Sequence, residues 1–230
     1  MMIQVTGLTK KYGRKKVLNG VSFTAEKGQI TCLIGINGVG KSTIMKAIMG
    51  LTPIQGGQIS IDGQPVDKRI YEKVAFIPDT ITMPPQMTVG EALLFMSDFY
   101  DKWNEKRAEE LLAFFKLNRT DRISELSKGN AAKANMLLGL AMDVDYLLMD
   151  EPFSGIDMFS REQIAKVFTS HLIEDRGVLI TTHEIQDIEH LIDKAVLLDQ
   201  GSVLKEFQTE DLRLSEGKSV VDVMREVYMG

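Results

Sequence analysis

A chain of 230 residues, 44% hydrophobic and 26% charged, has ordinary globular composition and is long enough to bury a core without a disulfide or a structural metal. Lys and Arg number 27 against 32 Asp and Glu, a net charge of −5, which argues against nucleic acid as a partner. One cysteine excludes an internal bridge and suits a reducing cytosol; with no apolar run near the roughly 20 residues of a membrane span and no secretion segment at the start, the chain is not expected to cross a membrane by itself.

Taken in chain order, residues 3–61 hold short β-type runs separated by glycine, and strands are predicted at 3–5, 17–23, 30–34 and 58–61. Cys32 lies inside the third run, where a buried structural thiol is expected. Residues 78–87 turn to Pro, Asp, Thr and Met, and Pro84-Pro85 forbids regular helix, so this segment reads as a hinge loop. Ala108, Leu111, Leu112 and Phe115 then repeat at i, i+3, i+4 and i+7, which predicts a helix with one core-facing stripe. After Met142 strands return at 146–149, 178–182 and 195–198, with helical patterns between 160 and 173 and between 184 and 192. Such alternation implies a mainly parallel sheet covered on both faces. The expected layout is one domain over 1–230. Residues 1–79 and 141–214 form an α/β core, 80–140 a helical insert, and 215–230 a tail of at most one short helix that says little about function.

Gly35-Ile36-Asn37-Gly38-Val39-Gly40-Lys41-Ser42-Thr43 satisfies G-x-x-x-x-G-K-[ST] after a predicted strand and before a helix, which makes it a phosphate cradle. Glycines let successive backbone N–H groups converge on phosphate oxygens, Lys41 brings a point charge to the β- and γ-phosphates, and the following helix aims its positive end at them. Ser42 is placed to ligate Mg²⁺. The run Tyr146-Leu147-Leu148-Met149-Asp150-Glu151 reads as a buried strand with two acids at its tip, and in an open parallel sheet ligands gather at that edge. Asp150 is assigned to the Mg²⁺ shell and Glu151 to the general base that orients the attacking water.

Together these segments resemble the ATP-binding subunits of ATP-binding cassette (ABC) transporters, over nearly the whole chain. The most specific shared feature is the family signature, usually L-S-G-G-Q, here Leu126-Ser127-Lys128-Gly129-Asn130 ahead of a helical stretch that Ser127 can cap. The resemblance implies an α/β P-loop NTPase fold with a RecA-like parallel-sheet core, an N-terminal antiparallel β part and a helical subdomain. It also implies ATP and Mg²⁺ as cofactors, and a head-to-tail dimer in which Ser127 and Gly129 of one subunit face the triphosphate held by the cradle of the other. By the same resemblance Tyr12 stacks on adenine, Asp157 bridges the two subunits, and His183 contacts the γ-phosphate. The partners implied are a second ATP-binding subunit and an integral membrane permease that holds this chain on the cytoplasmic face. His171 and His190 are expected to be structural.

Two departures from the family pattern carry weight. Where the family usually has Gln, Phe76-Ile77-Pro78 leads into Asp79. Two unit charges ~6 Å apart at an effective dielectric of ~20 repel by about 3 kcal/mol, so a carboxylate beside a polyanion is tolerable with Mg²⁺ or its water between them. Asp79 is therefore expected to join the metal shell and to make hinge closure depend on Mg²⁺. Lys128 replaces a signature glycine, and two accounts stand: an added positive charge near the opposing triphosphate, or a solvent-facing lysine. The form L-S-K-G is similar to a subgroup of bacterial subunits serving export-type or resistance-type permeases. The alternatives are a small kinase, which would not need the signature helix, a GTPase, for which no Asn-Lys-x-Asp guanine reader is present, a non-transport ABC ATPase, and a regulatory ATP-binding module without turnover.

Overall fold

Alternation of inward and outward residues builds the first part of the molecule. In the computed structural model, which describes residues 1–230 apart from 174, 184, 187 and 230, strand β1 (Met2–Tyr12) buries Ile3, Val5 and Leu8. The step from Val5 to Leu8 breaks a strict period of two. A register shift there, at Gly7 with φ +60°, absorbs the extra residue and keeps Leu8 inside. A turn at Gly13 leads into β2 (Lys15–Glu26), and both strands run well beyond the predicted 3–5 and 17–23.

The remaining elements follow as β3 (Ile30–Ile34), α1 (Lys41–Ile48), β4 (Gly56–Ile61), β5 (Gln64–Pro65), β6 (Val74–Ile77), α2 (Val89–Phe99), α3 (Glu105–Phe115) and α4 (Lys128–Leu140). Next come β7 (Tyr146–Asp150), α5 (Met158–Phe168), β8 (Gly177–Thr182), β9 (Lys194–Asp199), β10 (Ser202–Gln208), α6 (Thr209–Glu216) and α7 (Val220–Met229). Among the described residues the strands form two sheets. An antiparallel one is ordered β2-β1-β4-β5, and a second is ordered β10-β9-β3-β8-β7-β6, parallel throughout except for β10 at its edge.

Both faces of the second sheet are covered, so its strands are apolar on both sides rather than alternating with polar residues. Cys32, Leu147, Met149, Val178 and Ile180 face a core shared with α2, α3, α4, α5 and α7. Leu33, Tyr146, Leu148 and Leu179 face the opposite core, which holds α1 and the antiparallel sheet. The predicted stripe Ala108, Leu111, Leu112 and Phe115 lies buried on α3, and burial pushes the Cys32 thiol well above its usual range.

One predicted element is corrected. Of the helix expected between 184 and 192, positions 184 and 187 lie outside the described residues, and among the others only Glu189–Leu191 is helical, a single 3₁₀ turn. Its bonds run i to i−3, with Ile188 N donating to Ile185 O at 3.0 Å and Leu191 N to Ile188 O at 2.9 Å. Ile185, Ile188, Leu191 and Ile192 are all buried, a spacing that an α-helical face would also show, so the backbone bonds and not the pattern identify the turn.

Candidate active site

The site is assembled by strand order. Because β8 lies between β3 and β7, the residues that follow these three strands share one sheet edge: the glycine loop after Ile34, Glu151 after Asp150, and His183 after Thr182. The loop curls as the glycines allow. Gly38 and Gly40 have φ of +82° and +114°, and a Cβ on Gly40 would lie 2.6 Å from Leu18 Cδ2. Gly35 has no room for a side chain either, with Leu198 O 2.7 Å from where a Cβ would be.

Lys41 opens α1 and is 5% exposed. Its Nζ donates to Gly35 O at 2.6 Å and stands 3.1 Å from Glu151 Oε1. The other carboxylate oxygen, Oε2, lies 2.8 Å from His183 Nδ1. Glu151, whose side chain is 14% exposed, thus sits between the loop lysine and the histidine, on a backbone turn with φ +48°. That conformation is unusual for a residue with a Cβ and is held by two bonds to one residue, Glu151 N donating to Thr181 Oγ1 at 2.9 Å and to Thr181 O at 3.1 Å. Thr181 Oγ1 in turn donates to Asp150 Oδ1 at 2.6 Å. Thr181 was missed from sequence; the available signal was a hydroxyl at the end of an otherwise apolar strand.

A cleft of about 660 Å³ opens here, and its walls include Asn37, Gly38, Gly40, Lys41, Ser42, Thr43, Asp79, Glu151 and His183 of the predicted set. Lys128 lines it too, along with Asn135, whose amide donates to Pro78 O at 2.6 Å and ties α4 to the hinge. Other predicted residues are not on this wall. Asp150 is 3% exposed and lines an adjacent groove of about 590 Å³ that it shares with Asp79. Tyr12 is half exposed beside Thr52 and Thr43; a hydrogen bond with Thr52 leads the effects that hold its hydroxyl below the usual range.

Ser127, Gly129 and Asp157 form a separate cluster where α4 begins. Ser127 is exposed and caps α4, accepting from Asn130 N at 3.2 Å. Asp157 caps α5 by accepting from Ser160 N at 2.9 Å and from Ser160 Oγ at 2.7 Å, and these bonds hold its carboxyl below the usual range. Gly129 is buried against that cap: a Cβ there would lie 2.1 Å from Ser160 Oγ and 2.8 Å from Asp157 Oδ2. The contact that demands glycine at 129 is therefore packing within the chain. His171, at the surface, pairs with Glu110 at 2.6 Å.

No cluster of three or more His, Cys, Asp or Glu placed for a metal occurs among the described residues. Mg²⁺ does not need one, since it takes one or two carboxylates and fills its octahedron with water and phosphate oxygens. The hard oxygen donors of Ser42 and Asp79 on the cleft wall, with Asp150 behind it, fit that chemistry.

The sequence matches the ABC transporter family over residues 18–154. The chain belongs to that family. It is 32% identical over 211 residues to the linearmycin resistance ATP-binding protein of Bacillus subtilis (strain 168), covering 88% of this chain and 68% of that protein. It is 33% identical over 230 residues to the Nod factor export ATP-binding protein I of Burkholderia lata, covering 96% and 76%. Among solved structures, the ATP-binding subunit of an ABC transporter superposes with a TM-score of 0.87 at 27% identity, covering 99% of this chain and 100% of that one. The expected fold is borne out: an ABC ATPase cassette, with an antiparallel β part, a mainly parallel sheet and flanking helices. The chain is thus an ABC-type ATP-binding domain, a class that carries ATPase activity. Among the described residues no helix is long and apolar enough to cross a membrane.

Proposed function

We propose that this chain hydrolyses ATP to ADP and phosphate as the cytoplasmic ATP-binding subunit of a membrane exporter, with Glu151 as general base. The observation that carries this reading is the Lys41–Glu151–His183 contact set at the sheet edge, with distances of 3.1 and 2.8 Å. Lys41 and the N–H groups of the glycine loop bind the β- and γ-phosphates. The triphosphate offers Lys41 oxygens more anionic than a carboxylate, which leaves the Glu151 carboxylate to face the attacking water. It takes the proton of the attacking water, while His183 fixes its orientation. Ser42, Asp150 and Asp79 hold Mg²⁺, whose charge offsets that of the phosphates. Tyr12 stacks on adenine.

In this reading two ATP-binding subunits pair head to tail, with Ser127 and Asp157 of one meeting the cradle of the other, and closure around ATP drives a separate permease. The exposed cluster of Ser127 and Asp157, outside the cleft of its own chain, supports that arrangement. The groove beside Asp79, bordered by Leu51, Tyr71, Met83 and Tyr100, is the surface offered to the permease. Export as the direction follows from the names of the two relatives, one in resistance and one in export.

Phosphate release by the purified chain, alone and with its permease, tests the proposal. Glu151→Gln should lower turnover by about 10²- to 10⁴-fold while keeping ATP bound and the dimer closed. Lys41→Ala should lose ATP binding. Hydrolysis by Glu151→Gln at the unmodified rate would refute it. Asp79→Asn and Asp79→Gln should alter the Mg²⁺ dependence of closure; equal closure with unchanged Mg²⁺ dependence would remove Asp79 from the metal shell.

A further inference from the structure

The tail beyond residue 215, which the sequence left without a task, reaches the root of the phosphate loop. Helix α7 presents Val220, Val223, Met224, Val227 and Tyr228 at i, i+3, i+4, i+7 and i+8; Val220 and Val223 are fully buried and the other three pack on the same core. Ser219 caps the helix by accepting from Asp222 N at 3.1 Å, and Glu189 accepts from Val220 N at 2.7 Å. Docked this way, α7 brings the Tyr228 hydroxyl 2.9 Å from Leu198 O and 3.2 Å from Ile34 O.

Those two carbonyls mark where the sheet lets go of the loop. Ile34 is the last residue of β3 and is in register with Leu197 of β9 and Thr182 of β8. One residue later the chain turns away as Gly35, which lies so close to Leu198 O that a Cβ would be 2.7 Å from it. Leu198 O is therefore shared between the packing of the first loop glycine and the hydroxyl of Tyr228. Burial pushes that hydroxyl up to about 12, so it remains a donor at neutral pH. Along the flank of that stripe α7 bounds a cavity of about 560 Å³ lined by Met224, Tyr228 and His183, so the helix adjoins both the loop and the histidine.

We propose that Tyr228 is a positioning residue for the phosphate loop: by donating its one proton to Leu198 O, shared with Ile34 O in a longer three-centre contact, it fixes the exit of β3, and with it the geometry that binds the triphosphate. The inference rests on reading that loop as the ATP cradle. Because the loop and Lys41 meet chiefly at the β-phosphate, which AMP lacks, loosening the loop should weaken ATP and ADP far more than AMP.

The test compares the full chain with Tyr228→Phe, which removes one oxygen and keeps the ring. Binding is read by competition of ATP, ADP and AMP against a fluorescent ATP analogue, alongside steady-state hydrolysis and the melting temperature without nucleotide. ATP and ADP affinity should fall by about 2- to 10-fold, the scale of one hydrogen bond, with a matching rise in KM. AMP affinity and kcat at saturating ATP should stay within about 2-fold, a split that a general loss of folding would not produce. Unchanged ATP affinity, or an equal loss for all three nucleotides, would overturn the inference. Should Tyr228→Phe fail to fold, Val223→Ala, which loosens the docked helix and leaves the hydroxyl, should show the same selective loss; no loss or a uniform one overturns the inference again. An unmodified chain that bound no ATP would remove the functional reading itself, whereas binding by both chains alike removes only the role of Tyr228.

Discussion

Replacing Gly129 by Ala sets two effects against each other on one helix. Gly129 is the second residue of α4, where alanine is better than glycine by less than the about 1 kcal/mol of a helix interior, so propensity alone would stabilise α4 slightly. Tertiary contact reverses the sign. The new Cβ would lie 2.1 Å from Ser160 Oγ and 2.8 Å from both Ser160 Cβ and Asp157 Oδ2, and those groups form the cap of α5. Forcing them apart costs about 1 kcal/mol for the cap and about 1–3 kcal/mol for the overpacking. The net loss should be about 2 kcal/mol, or roughly 4–8 °C in melting temperature for a chain of this size. Urea denaturation of Gly129→Ala, Ser160→Gly and the double variant gives the coupling directly. Ser160→Gly removes two of the three clashing atoms and frees Asp157 to move, so the double variant should be more stable than the two single losses imply by about 1 kcal/mol. A Gly129→Ala chain as stable as the unmodified one, or strict additivity in the cycle, would refute the packing argument.

Thr181→Val keeps the shape of a fully buried side chain and removes the hydroxyl that serves both Asp150 and Glu151. Stability should fall by about 1–3 kcal/mol, because Asp150 loses a partner in a buried setting. Turnover should fall by about 10-fold or more as the Glu151 turn relaxes, read by phosphate release against ATP affinity. Asp62 supplies a pH test. Burial raises its carboxyl pKa, but bonds from Tyr146 at 2.6 Å, Lys73 at 3.2 Å and Met2 N at 3.1 Å outweigh this and hold it below 3.8. A depressed folded value means the stabilisation is full above the unfolded value and is lost as pH falls through the folded one. Asp62→Asn should therefore cost about 2 kcal/mol near neutrality, with the gap closing below about pH 4 in denaturation curves; a gap that is constant with pH would contradict the assignment.

Parts of this molecule were legible because their signals are short in range. The glycine loop with Lys41 and Ser42, the apolar run ending in Asp150 and Glu151, and the stripe on α3 each declare themselves within about ten residues, as a backbone conformation or a period. Helix α2 went unpredicted, although the spacing of Thr88 and Glu91 is that of the capping box the structure shows. Strand β6, at four residues, is too short to show alternation, and the spacing of three in Ile185, Ile188 and Leu191 fits a helical face until the backbone is seen to make a single 3₁₀ turn.

Short stretches of sequence were enough for the class of fold, the glycine loop with Lys41 and Ser42, the two acids at the strand tip and the signature that points to ABC subunits. Only the tertiary structure decided which groups meet: that β8 lies between β3 and β7, that Thr181 props both acids, that Gly129 is needed beneath a helix cap, and that Tyr228 reaches back 194 positions to Ile34. Local periodicity and backbone freedom are written in neighbouring residues. Contacts between distant ones follow from how buried faces pack, and no short stretch of chain encodes that.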